Sequence, residues 1–421
     1  MDIKKIIPLF IIIIILLYSQ IIKCQNYKKN IFNSSKYLKA AITLGDYLLE
    51  VKDNDTKSWS TVWNPKATDA ISSFYAMGAL YRLTKISNEN KFKEAAEKSI
   101  QWWIENMFLD EEEKCSKWNW FIDNKVQEIK GWENGEWEKC SGGFVAQYYK
   151  EKDGNRAVRV GTINTRDGAT LGIEILKNLP EQESNIELLK NWFTTDLANK
   201  SPKSGKTGYR GYMTVQSMVD TNKNGYIEIS PQYSLWGGRY QSSLVNAQMI
   251  LDLKELGLIK LIKERAEWLV NVMKNKITGN FFETFDVDNG LPSVGYKSNF
   301  TFANGQVVEG LFAAYEVCKE KKYLFSALEA LDWLIKTQAY IDNKIVFFTE
   351  DKVYRTFTAV PALCKAYSLT GKKEYLIYAL ATGDWIISQM KLPFDGFEDK
   401  NAWTVAEGLE ALVSICEMNL R

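Results

Sequence analysis

Two helical patterns of apolar and polar positions alternate along this chain. In the first, Lys and Glu line one face, and apolar residues with an aromatic landmark line the other. That spacing predicts amphipathic helices over residues 35–50, 91–107, 184–198, 258–275, 321–338 and 373–390, marked by Tyr47, Trp102, Trp192, Trp268, Trp333 and Trp385. In the second pattern apolar and small residues run nearly all the way round, as over residues 71–80 and 307–315. Helices covered on both sides need that composition, and they are expected over 69–84, 167–179, 235–256, 302–318, 355–370 and 403–418. The alternation predicts an outer and an inner ring of helices.

The last pairs of helices carry one pattern twice. Ala314-Tyr315, Lys321, Tyr323, Ala327-Leu328 and Asp332-Trp333 return 52 residues later as Ala366-Tyr367, Lys373, Tyr375, Ala379-Leu380 and Asp384-Trp385. A fixed period of this size marks one helix pair copied along the chain, because a pair that cannot bury its apolar face alone gains a core by stacking on its neighbours. The links are asymmetric. Those from a second helix to the next first helix are short, whereas residues 51–68, 108–166, 199–234 and 276–301 form long ones. Links longer than about 12–15 residues are usually functional, and in an up-and-down array all of these emerge at one end. They are rich in rings, among them Trp59, Trp63, Trp118, Trp120, Trp132, Trp137, Tyr233, Phe281, Phe282, Phe285 and Phe397. Such rings serve as platforms for the C–H faces of sugars or as the small cores of the loops themselves.

With 46% hydrophobic and 25% charged residues in 421, the chain has ample material for a large core. Its 53 basic and 52 acidic residues leave a net charge of +1, which gives no support to a nucleic-acid partner. The chain contains no histidine. Ser-His-Asp and Cys-His nucleophile systems and HExxH zinc sites are therefore excluded, and acid–base chemistry falls to Asp, Glu, Tyr, Lys, Arg or Cys. Lys4 and Lys5 precede an apolar run over 6–22, so residues 1–24 are expected to be a signal peptide or N-terminal anchor. The folded part, residues 25–421, is expected to be one exported domain, secreted or held outside the cytoplasm by that segment, its only membrane contact. Cys115 and Cys140 share a polar, irregular stretch where a disulfide would restrict a long loop. Cys318, Cys364 and Cys416 fall on apolar helix faces and are expected to be small core side chains.

Several polar groups fall at the predicted starts of inner helices: Asp69, Arg166, Asp167, Arg239, Asn304 and Arg355. Helix capping explains Asp69 and Asp167 without any function. Arginines there oppose the macrodipole and call for a carboxylate partner, either a protein group or an anionic sugar. Asp220, Asn222, Asn224 and Glu228, with Gly225 between them, match the opening of an EF-hand calcium loop. Pro231 stands where the closing carboxylate belongs, so a structural Ca2+ loop and a plain Asn-Gly turn both fit. No cofactor is required otherwise. Gly205-Lys206-Thr207 lacks the first glycine of a phosphate loop, Lys200 standing there, and no nucleotide partner is expected.

Helical hairpins with short links on one face, an aromatic-rich loop face and an export signal resemble the six-hairpin, (α/α)6-barrel glycosidase superfamily and the toroid polysaccharide lyases. The resemblance spans residues 35–418 and implies an all-α (α/α)6 barrel acting on a saccharide. It carries no catalytic signature onto these residues. Barrel-type sugar epimerases have a similar shape but use histidines, which this chain lacks. Three classes follow: a glycoside hydrolase with two carboxylates, here on an oligo- or polysaccharide that includes uronic-acid chains in its range; a polysaccharide lyase; and a non-catalytic saccharide-binding protein. For the hydrolase, the candidate acid and base are Asp69, Asp167, Glu283 and Asp286. Glu283 is favoured as the acid, since Phe281, Phe282 and Phe285 give it an apolar setting, and Asp167 as the base. Arg239 and Arg355 would orient an anionic ring, and Trp120, Trp236 and Tyr233 would stack on it. In exported material Cys115 and Cys140 are expected as a disulfide. Mass spectrometry of a non-reduced digest checks this, and two free thiols would contradict it.

Overall fold

A computed structural model of the chain describes residues 34–61, 64–108, 110, 119–122, 125–127, 142, 144, 147–150, 156–158, 169–194, 217–219, 228–230, 240–286, 290–293, 300–336, 339–341, 344–346 and 357–418. Six outer helices are present: α1 (Ser34–Glu50), α3 (Asn90–Met107), α5 (Glu183–Thr194), α7 (Ile259–Trp268, continued by a π turn over Leu269–Met273), α9 (Lys321–Lys336) and α11 (Lys373–Gln389). They alternate with six inner ones: α2 (Ala70–Ser87), α4 (Ala169–Leu176), α6 (Ser243–Glu255), α8 (Phe300–Cys318), α10 (Ala359–Thr370) and α12 (Ala402–Met418). Each inner helix packs on the next, α2 on α4 and so on to α12, and α12 packs back on α2. The inner ring is therefore closed, and the architecture is an (α/α)6 barrel. Among the described residues no helix is long and apolar enough to cross a membrane.

The sequence repeat has a physical counterpart in the outer ring. Tyr323, near the start of α9, donates its hydroxyl to Glu267 on α7 at 2.8 Å. Its repeat partner Tyr375, on α11, donates to Asp332 on α9 at 3.0 Å. Tyr37 on α1 extends the series across the seam by donating to Asp384 on α11 at 2.7 Å, beside an ion pair from Lys36 to the same carboxylate. Burial followed by the neighbouring carboxylates raises the pKa of the Tyr323 and Tyr375 hydroxyls, so they remain donors. Short links are possible because several helices end in a left-handed residue, as at Asn88, Gly257, Lys319 and Gly371, which turns the chain within one or two positions. Inside, Gly310 allows α8 to approach α6, since a Cβ there would lie 2.8 Å from the Ala247 backbone.

The long links form short strands, which the sequence reading treated as irregular. β1 (Ser60–Thr61) and β2 (Asn64–Asp69) join β3 (Asn119–Ile122), β4 (Lys125–Gln127), β5 (Gln147–Lys150) and β6 (Arg156–Val158) in one sheet. That sheet unites the first two long links through β2 and β5, Asp69 lying opposite Gln147. β9 (Tyr240–Ser242) pairs with β10 (Thr284–Asp286), which pairs with β11 (Leu291–Ser293), uniting the third and fourth links. Two small hairpins complete the set: β7 (Ser217–Val219) with β8 (Glu228–Ser230), and β12 (Ala339–Ile341) with β13 (Lys344–Val346). The long links thus gather at one end, where the inner helices begin.

Two boundaries need correction. The helix expected over 235–256 begins only at Ser243, because residues 240–242 are claimed by the ladder with β10. The helix expected over 355–370 begins at Ala359. Arg239 and Arg355 therefore precede these helices and do not oppose a macrodipole from within a first turn. Cys364 and Cys416 are buried free thiols, as expected, and Cys318 is a half-buried one. Cys115 and Cys140 lie outside the described residues.

At the far end of the barrel Arg82 of α2 clamps α12. Its guanidinium donates to Glu410 at 2.7 Å, to both carboxylate oxygens of Glu417 at 2.9 and 3.2 Å, and to Ser414 at 3.1 Å. Glu309 lines a pocket of about 240 Å³ there, together with Arg82, Lys254, Lys365 and Glu417. Burial, and then the charge of Glu410, pushes the Glu309 carboxyl up from 4.5 to about 8. The fold therefore binds a proton that the unfolded chain releases. The stability linked to that proton is fully present below pH 4.5 and is lost as pH rises through about 8. Thermal melts between pH 5 and 9 are expected to fall for the parent on the alkaline side and to be flatter for Glu309→Gln. Equal slopes would refute the linkage. Arg82→Met is expected to cost about 2–3 kcal/mol by leaving carboxylates part-buried without their partner, less than a fully buried pair would lose.

Candidate active site

Asp69 is the last residue of β2 and the cap of α2. Its backbone is extended (φ −126°, ψ 136°) and its carboxylate accepts the Ser72 amide at 3.1 Å. The backbone N–H of Asp69 donates to Trp59 O at 2.9 Å, holding the strand end against the loop that leads into it. The capping reading of Asp69 is therefore realised, with the side chain 4% exposed at the loop end of the barrel.

Glu283 reaches the same end by another route. The segment between the π turn and β10 folds back on the start of α6: the Ser243 amide donates to Glu283 O at 2.9 Å, and the Ser243 hydroxyl donates to Phe282 O. Glu283 is 7% exposed, and Phe281 before it is 1% exposed. The apolar setting expected for this carboxyl is present. The rings that supply it are core residues and not sugar platforms, however, since Phe282 and Phe285 pack on the core and Phe285 meets Trp268 at 6.0 Å. The same correction applies to Phe397, 6% exposed, and to Trp59, fully buried with its indole donating to Leu48 O at 2.8 Å. These rings satisfy the cores of their own loops.

Asp286 closes β10, paired with Tyr240 and Leu291 in backbone register. Trp120 lies in β3 opposite Gln127. Glu228 opens β8 opposite Val219, so a hairpin register brackets the calcium-like stretch. Asp167, Tyr233, Trp236, Arg239 and Arg355, along with Asp220, Asn222 and Asn224, lie outside the described residues.

The structure adds a constellation that the sequence reading missed. Tyr75 of α2 lies on the barrel axis, because its hydroxyl is reached both from α6, by Gln248 Nε2 at 2.6 Å, and from α8, by Gln306 Nε2 at 2.8 Å. α8 stands opposite α2 in the ring, so this contact spans the bore. The Trp403 ring of α12 packs 6.1 Å from that of Tyr75, and Glu407, one turn further along α12, is 4% exposed and acts on Tyr75 by its charge. Each of Tyr75, Gln248, Gln306 and Glu407 sits five or six residues inside its helix, about 8–9 Å below the helix start. Burial, and after it Glu407, holds the Tyr75 phenol well above its usual pKa. Tyr75 therefore stays protonated at neutral pH and cannot serve as a base. A usable signal was present in the sequence: one polar residue at the same depth in several helices that are otherwise apolar all round.

The fold has solved counterparts that are remote in sequence. The D-mannose isomerase structure aligns with a TM-score of 0.60 at 12% identity, over 91% of this chain and 97% of its own. The α-mannanase of glycoside hydrolase family 76 from Bacteroides thetaiotaomicron aligns with a TM-score of 0.58 at 12% identity, over 92% and 96%. An inactive variant of an α-1,6-mannanase from Salegentibacter sp. HEL1_6, in complex with α-1,6-mannotriose, aligns with a TM-score of 0.57 at 8% identity, over 91% and 99%. These likenesses establish the six-hairpin barrel architecture over nearly the whole chain. No sequence-family model matches the chain, and no curated protein matches it in sequence.

The two tasks open to Asp69 can be separated. Asp69→Ala is expected to lose about 0.5–2 kcal/mol of stability with the cap, whereas Asp69→Asn, which caps equally well, keeps the melting temperature. A melt of Asp69→Ala equal to that of the parent would show that the cap contributes nothing.

Proposed function

We propose that this chain is a glycoside hydrolase acting on an oligo- or polysaccharide at the loop end of the barrel, by carboxylate acid–base catalysis. What carries the reading is Glu283, a carboxyl buried beside Phe281 at the end of the barrel where every long link gathers. An acid for glycosidic cleavage needs such a setting, which keeps its proton near neutral pH while a second carboxylate stays ionised. Asp167 is the proposed base, with Asp69 and Asp286 its competitors. Bound Ca2+ at Asp220–Glu228 is proposed as structural only, and export through residues 1–24 as the route to an external substrate.

The structural neighbours support the saccharide reading in kind, since the Salegentibacter α-1,6-mannanase binds mannotriose and mannotetraose. Its inactive variants have two consecutive aspartates replaced. This chain contains no Asp-Asp pair, so its acid and base are argued from their own positions. The isomerase neighbour offers a second activity on the same fold. Lack of any histidine removes the usual proton shuttle of sugar isomerisation near neutral pH and favours hydrolysis. Protonated Tyr75 weighs against lyase chemistry with this tyrosine as base.

Protein starting at residue 25 is expected to release reducing ends from at least one member of a polysaccharide panel without a rise in ultraviolet absorbance. Such a rise would signal an unsaturated product and a lyase. Among Asp69→Asn, Asp167→Asn, Glu283→Gln and Asp286→Asn, at least two are expected to lose about 10²–10⁴-fold in rate with the melting temperature held. Near-full turnover by all four would place the chemistry elsewhere.

A further inference from the structure

We infer that Tyr75, Gln248, Gln306 and Glu407 form a subsite for an uncharged sugar ring, held through its own hydroxyl donors, that excludes uronic acids; this rests on the saccharide reading above. All four side chains are more than nine-tenths buried, at 7%, 6%, 6% and 4% exposure. Both glutamines spend an Nε2–H on the Tyr75 hydroxyl. Oε1 of Gln248 and Oε1 of Gln306 are then left buried, accepting no hydrogen bond among the described residues. A buried acceptor without a donor costs about 1–3 kcal/mol. Two buried amide oxygens beside one phenol call for a ligand that brings O–H groups. Sugar hydroxyls donate, and an ionised carboxylate only accepts. Water can also donate, so a sugar hydroxyl displaces it here only by reproducing the same bonds.

Charge points the same way. The strongest charge felt at Tyr75 comes from the Glu407 carboxylate, followed by Glu410. The positive N-terminal ends of the inner helices pull in the opposite direction, but that influence fades within the first turn. The cradle lies deeper, five or six residues in. A uronate placed here would set its charge beside Glu407 and against two amide oxygens. The hydroxymethyl group of the corresponding neutral sugar would meet acceptors suited to it. Of the substrate classes the sequence admits, the cradle therefore selects the neutral ones.

The test uses the full mature chain and matched oligosaccharides differing only in a hydroxymethyl group or a carboxylate at the same carbon: mannose with mannuronate, glucose with glucuronate, galactose with galacturonate. Binding is measured by calorimetry, separately from turnover. At least one neutral oligomer is expected to bind about 10-fold or more tightly than its uronate counterpart. Gln248→Met and Gln306→Met, which keep volume and remove the amide, are expected to shrink that ratio while cooperative melts confirm folding. Should neither variant fold, the ratio for the parent chain decides alone. A uronate that binds as well as or better than its neutral partner in every pair overturns the inference and leaves the hydrolase proposal standing. Unchanged ratios in both folded variants also overturn it. No binding by any oligomer overturns it together with the saccharide reading.

Discussion

A closed ring of helices depends on its seam, where the first pair meets the last. Here the seam is joined on both layers: Tyr37 and Lys36 of α1 hold Asp384 of α11 in the outer ring, and Arg82 of α2 holds Glu410 and Glu417 of α12 in the inner one. The outer contact is the same tyrosine-to-carboxylate bond that joins α11 to α9 and α9 to α7. The seam is thus one more copy of the repeat. The inner contact has no counterpart among those bonds. It is a planar, bidentate guanidinium–carboxylate pair, a geometry that lysine cannot supply. Without the seam the inner helices, apolar on nearly every side, would expose two faces to water.

Closing the ring creates an axis, and the axis must be filled. Small residues permit close helix approach, as Gly310 does against Ala247, but six helices cannot meet at a point. At the loop end the bore is spanned by Tyr75 and the two glutamines, and at the far end by the Arg82 cluster beside Glu309. Polar groups on a barrel axis are costly unless every donor and acceptor is matched. The far end comes close to that balance through its ion pairs. The loop end keeps two amide oxygens open, and it is the end at which Glu283, Asp69 and the long links converge.

Much of this was legible from residue order. Alternation of amphipathic and all-apolar helices is a strong signal, and α1, α3, α9 and α11 begin within a residue of their expected positions. The start of α6 was misplaced because Tyr240-Gln-Ser reads as well in a helix as in a strand. Only its long-range pairing with Thr284-Phe-Asp decides the matter. Rings in the loops were legible as aromatics, but their fate was not. Trp59 and Phe281 are inside because their neighbours in space, not in sequence, cover them. Tyr75, Gln248, Gln306 and Glu407 escaped notice for a related reason: each is one polar residue in a long apolar run, and only closure of the ring shows that they meet.

The two ends of the axis are linked by charge. Glu407 and Glu410 stand one turn apart on α12 and Glu417 two turns further on, and Glu309 faces Glu410 from α8. Arg82 neutralises the lower members, and the proton held by Glu309 removes a further charge. Arg82 bonds Glu410, Ser414 and Glu417, and Glu407 lies one turn nearer the loop end than Glu410. The clamp that closes the barrel therefore also determines how much of the negative charge on α12 is felt in the bore. A helix that carries Glu407, Glu410 and Glu417 is stabilised by a cation at its base, and among these carboxylates Glu407 acts most strongly on Tyr75.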